Sequence, residues 1–375
     1  MLKQVQHRLT KSFPRKEKTM ADPRIKKLAW ILVNHSLRVK KGETVLINSS
    51  SEIAKPLILE VFREVMEAGA HPSVNTAFEE TQNIFYEKAA KEQLRNFPKT
   101  KFYEAKNTDC FVNIRAPLNK KSLSNTDPKK ISERSKAIKR ILDTIVNKKR
   151  WILCNFPTNA LAQEAEMSIA EYEDFLYGAT NVDWNRVKQE EMKLKGILDR
   201  GSEVRIVGTD TDLKMSIKGR KAIPCWGERN MPDGEVFLSP VEDSAEGYIY
   251  YEMPAIYQGR EVLGIRLRFK NGKVVSASAD KNENFLISML DTDKGARFLG
   301  ELGVGVNYGI KKFSKDILFD EKIGGTVHLA VGRSYEEAGG KNKSAIHWDM
   351  IKDLRKNGAL YIDGRIIQKN GRFLI

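Results

Sequence analysis

With 375 residues, of which 41% are hydrophobic, the chain is long enough for two cores, and no stretch reaches the apolar length needed to cross a bilayer. The formal net charge of +15 could attract nucleic acid non-specifically, but the lysines interleave with glutamates, as in KEQLRNFPKTKFYEAK, the pattern of a solvated surface rather than of a specific nucleic-acid module. The three cysteines, Cys110, Cys154 and Cys225, are far apart with no CxxC pair, and read as buried free thiols in a reducing, cytoplasmic compartment.

Residues 1–19 carry six basic residues and one acid and lack an apolar core, so they read as a basic, disordered extension rather than a secretory signal. Residues 22–38 predict a helix, with Leu28, Ile31, Leu32 and His35 at helical spacing; His35 has no ligand-like neighbour there. GETVLINSS predicts a strand, and SEIAKPLILEVFREVMEAGA an amphipathic helix opening at Ser51. Next come strand HPSVNTAF, helix TQNIFYEKAAKEQLRNF, strand DCFVNIRA, a polar loop, helix SERSKAIKRILDTIVNKK, strand RWILCNFP and the helical stretch LAQEAEMSIAEYEDFLYGAT. His71 opens its strand at a turn, a surface position. Short apolar strands alternating with helices predict βαβ units, so residues 20–185 are expected to form an α/β domain with a mostly parallel sheet. Its first turn, NSSSEIAK, has no phosphate-binding glycine pattern, which argues against a nucleotide site.

After the helix VDWNRVKQEEMKLKGILDRG the pattern changes. SEVRIVGTDTDLKMSIKG reads as a hairpin, EVLGIRLRFKNGKVVSASA as another turning at Asn271-Gly272, and ALYIDGRIIQKNGRFLI adds turns at Asp363-Gly364 and Asn370-Gly371. The helix NENFLISMLDTDKGARFLG interrupts them. Residues 186–375 are thus expected to form a mainly antiparallel α+β domain.

Groups for catalysis concentrate in this second half. His328 lies in the apolar strand GTVHLAV, and His347 and Asp349, two apart in SAIHWDM, share one side of an extended backbone. Asp233 and Glu235 sit on a turn running into a strand, and Glu301 where a helix meets the glycine-rich GELGVG. Asp320 and Glu321 lie just before His328 in sequence. Two imidazoles with several carboxylates form a ligand set for a divalent ion of the zinc, cobalt or manganese type. They exceed the needs of one catalytic zinc and would suit two ions sharing a carboxylate. The bland reading competes: a strand histidine is usually a core residue, an Asp-Gly-Glu turn is ordinary turn chemistry, and no HExxH is present. The glycines of GELGVGVNYG and AGGKNKS read as tight turns bringing backbone near a metal centre, since neither run matches a nucleotide loop.

The ordered series MPDGEVFLSPVEDSAEG, FLGELGVGVN, LFDEKIGGTVHLAVGRSY and GGKNKSAIHWDM, with ADPRIKKLAWILVNHSLRVKKGETVLI upstream, resembles the M29 thermophilic metallo-aminopeptidases over nearly everything after Met20. The resemblance implies a two-metal exopeptidase acting on peptides with a free N-terminus, in a homodimer. Its metal ligands would fall on Glu235, Glu301, His328, His347 and Asp349, with Glu301 shared between the ions and Tyr335, in GRSY, assisting catalysis. Glu301 is also the resemblance-based choice for proton carrier, with Glu242, Asp243 and Glu321 as alternatives. Tyr308 departs from the family pattern, which has a small residue or proline there. Two other readings stay open on the residues alone: a two-metal esterase or phosphatase on the same ligands, and a basic nucleic-acid-binding protein with no specific module.

Overall fold

The computed structural model describes residues 22–375. The expected extension over residues 1–19 lies outside them. Helix α1 (Pro23–Trp30) starts where Asp22 accepts a hydrogen bond from the Arg24 amide at 2.8 Å and Pro23 needs no donor of its own. It runs on as a π-helical turn, Ile31–Ser36, which aims His35 Nε2 at the Trp226 carbonyl oxygen, 2.8 Å away, and stacks its ring on Trp184. This is a structural histidine. Strand β1 (Thr44–Ser49), helix α2 (Lys55–Glu67), strand β2 (His71–Thr76), helices α3 (Glu79–Lys88), α4 (Lys91–Arg95) and α5 (Lys99–Asn107), strand β3 (Cys110–Arg115), helix α6 (Pro128–Lys148) and strand β4 (Arg150–Asn155) complete the alternation. The single helix expected over TQNIFYEKAAKEQLRNF divides into α3 and α4. Helix α5 is not among the elements the sequence predicts; it buries only Ala105 and carries almost no apolar stripe.

Helices α7 (Asn159–Glu164), α8 (Ile169–Thr180) and α9 (Trp184–Arg200) lead out of the parallel region. Ser168 and Glu171 close a capping box at the start of α8, and Asp183 caps α9. The second half supplies strands β5 (Glu203–Gly208), β6 (Thr211–Ser216), β7 (Ile223–Cys225), β8 (Asn230–Met231), β9 (Glu235–Leu238), β10 (Glu246–Tyr251), β11 (Ala255–Tyr257), β12 (Arg260–Val262), β13 (Ile265–Lys270) and β14 (Lys273–Ser278). Helix α10 (Glu283–Leu290), strand β15 (Leu299–Gly305), the single turn α11 (Ile317–Asp320) and strands β16 (Thr326–Gly332), β17 (His347–Asp353), β18 (Ala359–Ile362), β19 (Arg365–Lys369) and β20 (Arg372–Phe373) follow.

The fold is therefore an α/β region followed by mostly antiparallel sheets, as the patterning implies. The parallel sheet runs β2-β1-β3-β4-β8, and its last strand comes from the second half of the chain. An eight-stranded sheet runs β14-β13-β10-β6-β5-β18-β19-β20, β11 and β12 form a small pair, and a five-stranded sheet runs β17-β16-β15-β9-β7. One hydrophobic cluster joins the two halves, from Leu28, Val45 and Val112 to Leu302, Val327 and Leu360. At the carboxyl ends of β3 and β4, where open α/β sheets commonly take ligands, Asp316 pairs with Arg115 at 2.8 Å and accepts from Asn155 at 2.9 Å. No helix of the described residues is long and apolar enough to cross a membrane.

Candidate metal centre

The five-stranded sheet gathers the expected ligands by its register. Glu235 on β9 faces Gly305 on β15, Gly303 faces both Phe237 on β9 and His328 on β16, and Ala330 faces both Glu301 on β15 and Asp349 on β17. His347 faces Gly332. Side chains opposite one another share a face, and alternate residues along a strand point the same way. Glu235, Glu301, His328, His347 and Asp349 therefore stand on one face. The intervening Val236, Leu302, Val304, Val327, Leu329, Trp348 and Met350 are buried in the core on the other. That apolar face fixes the register, because a slip of one residue would exchange the two sets.

The expectation that GELGVG forms a tight turn is corrected: it is strand β15, and Glu301 lies inside it. Its glycines make room instead. A Cβ on Gly303 would lie 2.0 Å from both Cε1 and Nε2 of His328, so the imidazole rests on the bare backbone of the neighbouring strand. Gly234, at φ +113°, turns the chain into β9 where a Cβ would lie 2.7 Å from Asn307 Cβ. Asn307 in turn donates to the carbonyl oxygens of Asp233 at 2.9 Å and Ala179 at 3.0 Å, tying this turn to the end of α8.

His328 Nε2 lies 3.1 Å from Glu235 Oε2 and 3.1 Å from Glu301 Oε1. His347 Nε2 lies 3.3 Å from Glu301 Oε2 and 3.5 Å from Asp349 Oδ2. The two oxygens of Glu301 thus serve different histidines. His347 Nδ1 donates to the Arg333 carbonyl oxygen at 2.7 Å, which leaves Nε2 for the carboxylates. Burial alone would raise Glu301, but hydrogen bonds from both imidazoles bring it down to about 2. Burial alone would lower the histidines. The carboxylates outweigh it, raising His347 to about 9 and His328 well above the ordinary imidazole value. Asp349 is raised by burial, partly offset by His347.

Other groups join the cluster. Glu321, which follows α11, is raised by burial to about 8, and Lys322 beside it is fully buried. The Lys322 ammonium donates to Glu321 and lies 3.3 Å from Glu235 Oε1. Asp233 accepts from the Gly227 amide at 3.0 Å, and burial raises its pKa. Glu191 on α9 is fully buried and raised to about 10, first by desolvation and then by Asp233 and Glu235. Glu191 was legible and overlooked, since it sits on the same helical stripe as Trp184, Val187, Leu194 and Leu198. Lys322 carries no such local signal.

Tyr335 lies in the loop after β16, its ring edge-on to His347 at 5.1 Å between centroids and 5.5 Å from Phe237. Burial and nearby Glu301 and Asp349 raise its pKa, so the hydroxyl stays protonated. Asp320 is a loop brace instead, accepting from the Ser314 amide and hydroxyl at 2.8 Å each. Glu242 is held by Arg220 at 2.6 Å and by the Lys341 amide at 2.7 Å.

This donor set fits a divalent cation of the zinc, cobalt or manganese type. Ligand atoms of Glu301, His328 and Asp349 lie within 4.8 Å of one another, as do those of Glu235, Glu321 and His328, and those of Cys225, Asp233 and Glu235. Glu235 Oε2 and Asp349 Oδ1 are buried without a hydrogen-bond partner among the described residues, a cost that cation binding at these carboxylates would relieve.

Comparison with known proteins gives a consistent picture. The family model described as "Thermophilic metalloprotease (M29)" matches residues 21–373. Aminopeptidase AmpS of Bacillus subtilis (strain 168) is 26% identical over 381 residues, covering 91% of this chain and 92% of the relative. Aminopeptidase T of Thermus thermophilus is 34% identical over 167 residues, 39% of this chain and 40% of the relative. The solved structure of wild-type AmpT from Thermus thermophilus shares the fold with a TM-score of 0.83 at 23% identity, covering 94% of this chain and 99% of that one.

Proposed function

The chain belongs to the M29 family of thermophilic metalloproteases, and from that premise we propose that it is a metal-dependent aminopeptidase whose centre holds two divalent ions on Glu235, Glu301, His328, His347 and Asp349. Its relatives over nearly the whole chain are named aminopeptidases, which favours this over an esterase, a phosphatase or a basic nucleic-acid-binding protein. The observation that carries the two-ion reading is Glu301. Its two oxygens address His328 at 3.1 Å and His347 at 3.3 Å, so one carboxylate spans both halves of the ligand set. The test is release of the N-terminal amino acid from a free dipeptide by protein stripped with chelator and resupplied with Zn²⁺, Co²⁺ or Mn²⁺. Cleavage restored by metal, and absent on the N-acetylated dipeptide, supports the reading. Cleavage of both substrates, or activity on esters and phosphoesters alone, contradicts it.

When bound by these residues, divalent ions would supply a water of lowered pKa and polarisation of the scissile carbonyl. The chain's own residues do the rest. The apolar residues on the other face of the sheet fix the strands that carry the ligand set. Tyr335, protonated and with its ring beside His347, would donate a hydrogen bond to the oxyanion. For proton transfer to the leaving amine the candidates are Glu301, which the family resemblance favours, and Glu321, whose carboxyl burial raises to about 8. Glu242 is engaged elsewhere. The acidic cluster also attracts a substrate's free α-ammonium, consistent with exopeptidase action. A cytoplasmic enzyme suits the three free cysteines, and a homodimer is the assembly we expect in light scattering.

Two outcomes follow directly. Tyr335→Phe should lower kcat by about 10²–10³-fold, the usual cost of an oxyanion donor, while metal content measured by atomic absorption stays at the wild-type level. Metal binding should also release protons. His347 is raised to about 9, so at pH 7 the ion displaces a proton from it, and apparent affinity climbs as pH rises toward that value. Calorimetry in two buffers of different ionisation enthalpy measures the release, and identical heats in both would contradict the assignment.

A further inference from the structure

Lys322 is unusual: a lysine with no exposed surface, enclosed by carboxylates. Burying an unpaired ammonium is costly, so its neighbours must justify its presence. Its Nζ lies 3.3 Å from Glu235 Oε1 and donates to Glu321, with Asp233 alongside. Glu235 is thereby divided. Oε1 faces the ammonium, and Oε2 faces His328 at 3.1 Å. The other end of the cluster differs, because among the described residues Glu301 and Asp349 pair with imidazoles only. One end of the ligand set therefore carries a positive charge that a metal cannot displace, and the other carries only imidazoles whose protons a metal displaces.

We propose that Lys322 is a tethered counter-cation that fixes Glu235 so that one oxygen is left for metal, and makes the metal position on the Glu235 side the weaker, more exchangeable of the two. The inference rests on the two-ion reading above. A divalent ion on the Glu235 side meets a like charge in a water-poor site and shares its carboxylate with an ammonium. An ion among Glu301, His347 and Asp349 meets neither. Lys322 acts through Glu235 and is a positioning residue.

The test is titration of chelator-stripped full-length protein with Co²⁺, followed by visible absorption and calorimetry. Wild type should show two binding steps at least about tenfold apart in Kd, or about 1.4 kcal/mol. Lys322→Met should tighten the weaker step at least about tenfold and leave the tighter one within about threefold, and Lys322→Arg should restore the wild-type gap. Equal steps in wild type overturn the proposal without any variant, which matters if Lys322→Met does not fold. A folded Lys322→Met with an unchanged gap and only a lower Tm shows a purely structural lysine and also overturns it, leaving the metal centre standing. No binding step in any of the proteins overturns the centre itself, and this inference with it.

Discussion

Glu301→Gln should lower kcat/KM on a free dipeptide by about 10³-fold or more while the protein stays folded. The substitution keeps the shape of the side chain and removes its charge. It therefore reports what the charge does between His328 at 3.1 Å and His347 at 3.3 Å. A glutamine has one acceptor oxygen and an NH₂ group, so it can serve one imidazole or one ion but not two. Metal content should fall from two ions to one or none at matched free metal. The histidines change in a predictable direction too. Both are held up by Glu301, so in the metal-free variant the His347 pKa should fall from about 9, which NMR of the ring protons follows. A variant that keeps both ions and wild-type turnover would remove Glu301 from the centre.

Gly303→Ala is the second large effect, and its residue never touches the ligands through a side chain. The added methyl would lie 2.0 Å from the His328 ring, which is fully enclosed and cannot swing to solvent. Overpacking of this kind costs about 1–3 kcal/mol of stability. The displaced imidazole also leaves its place between Glu235 and Glu301, and misplacement by about 1 Å can cost about 10²-fold in rate. We expect a lowered Tm, weakened metal binding and at least about a hundredfold loss of kcat/KM. Gly178→Ala, inside α8, is the control: its methyl would meet only the Gly309 carbonyl oxygen at 3.8 Å, an ordinary contact. Wild-type activity in Gly303→Ala would mean that His328 is not a working part of the site.

These two residues divide what the amino-acid sequence makes legible from what it hides. Glu301, His328, His347 and Asp349 could be picked out because each lies in a recognisable motif, and the HxD spacing places two of them on one side of a strand. The glycines beside them were misread as turns. Their purpose appears only across the ladder, where Gly303 meets His328 from a strand 25 residues on, and no local pattern encodes that register. Asn230 and Met231 were likewise unexpected in the parallel sheet, since two residues joining β4 from the second half carry no periodicity of their own. Helix α5 lacked an apolar stripe. Glu191 lies on such a stripe, and its apolar companions mark that face as buried. Lys322 shows the limit most sharply, because a lysine beside a glutamate reads as surface until the fold closes over it.

The measurement that tests the account most directly is the anomalous diffraction of crystals soaked in Co²⁺ or Zn²⁺. The account predicts two peaks, one among Glu235, Glu301 and His328 and one among Glu301, His347 and Asp349, with the Glu301 carboxylate between them. A single peak away from Glu301, or one held by Cys225, Asp233 and Glu235 alone, would contradict it.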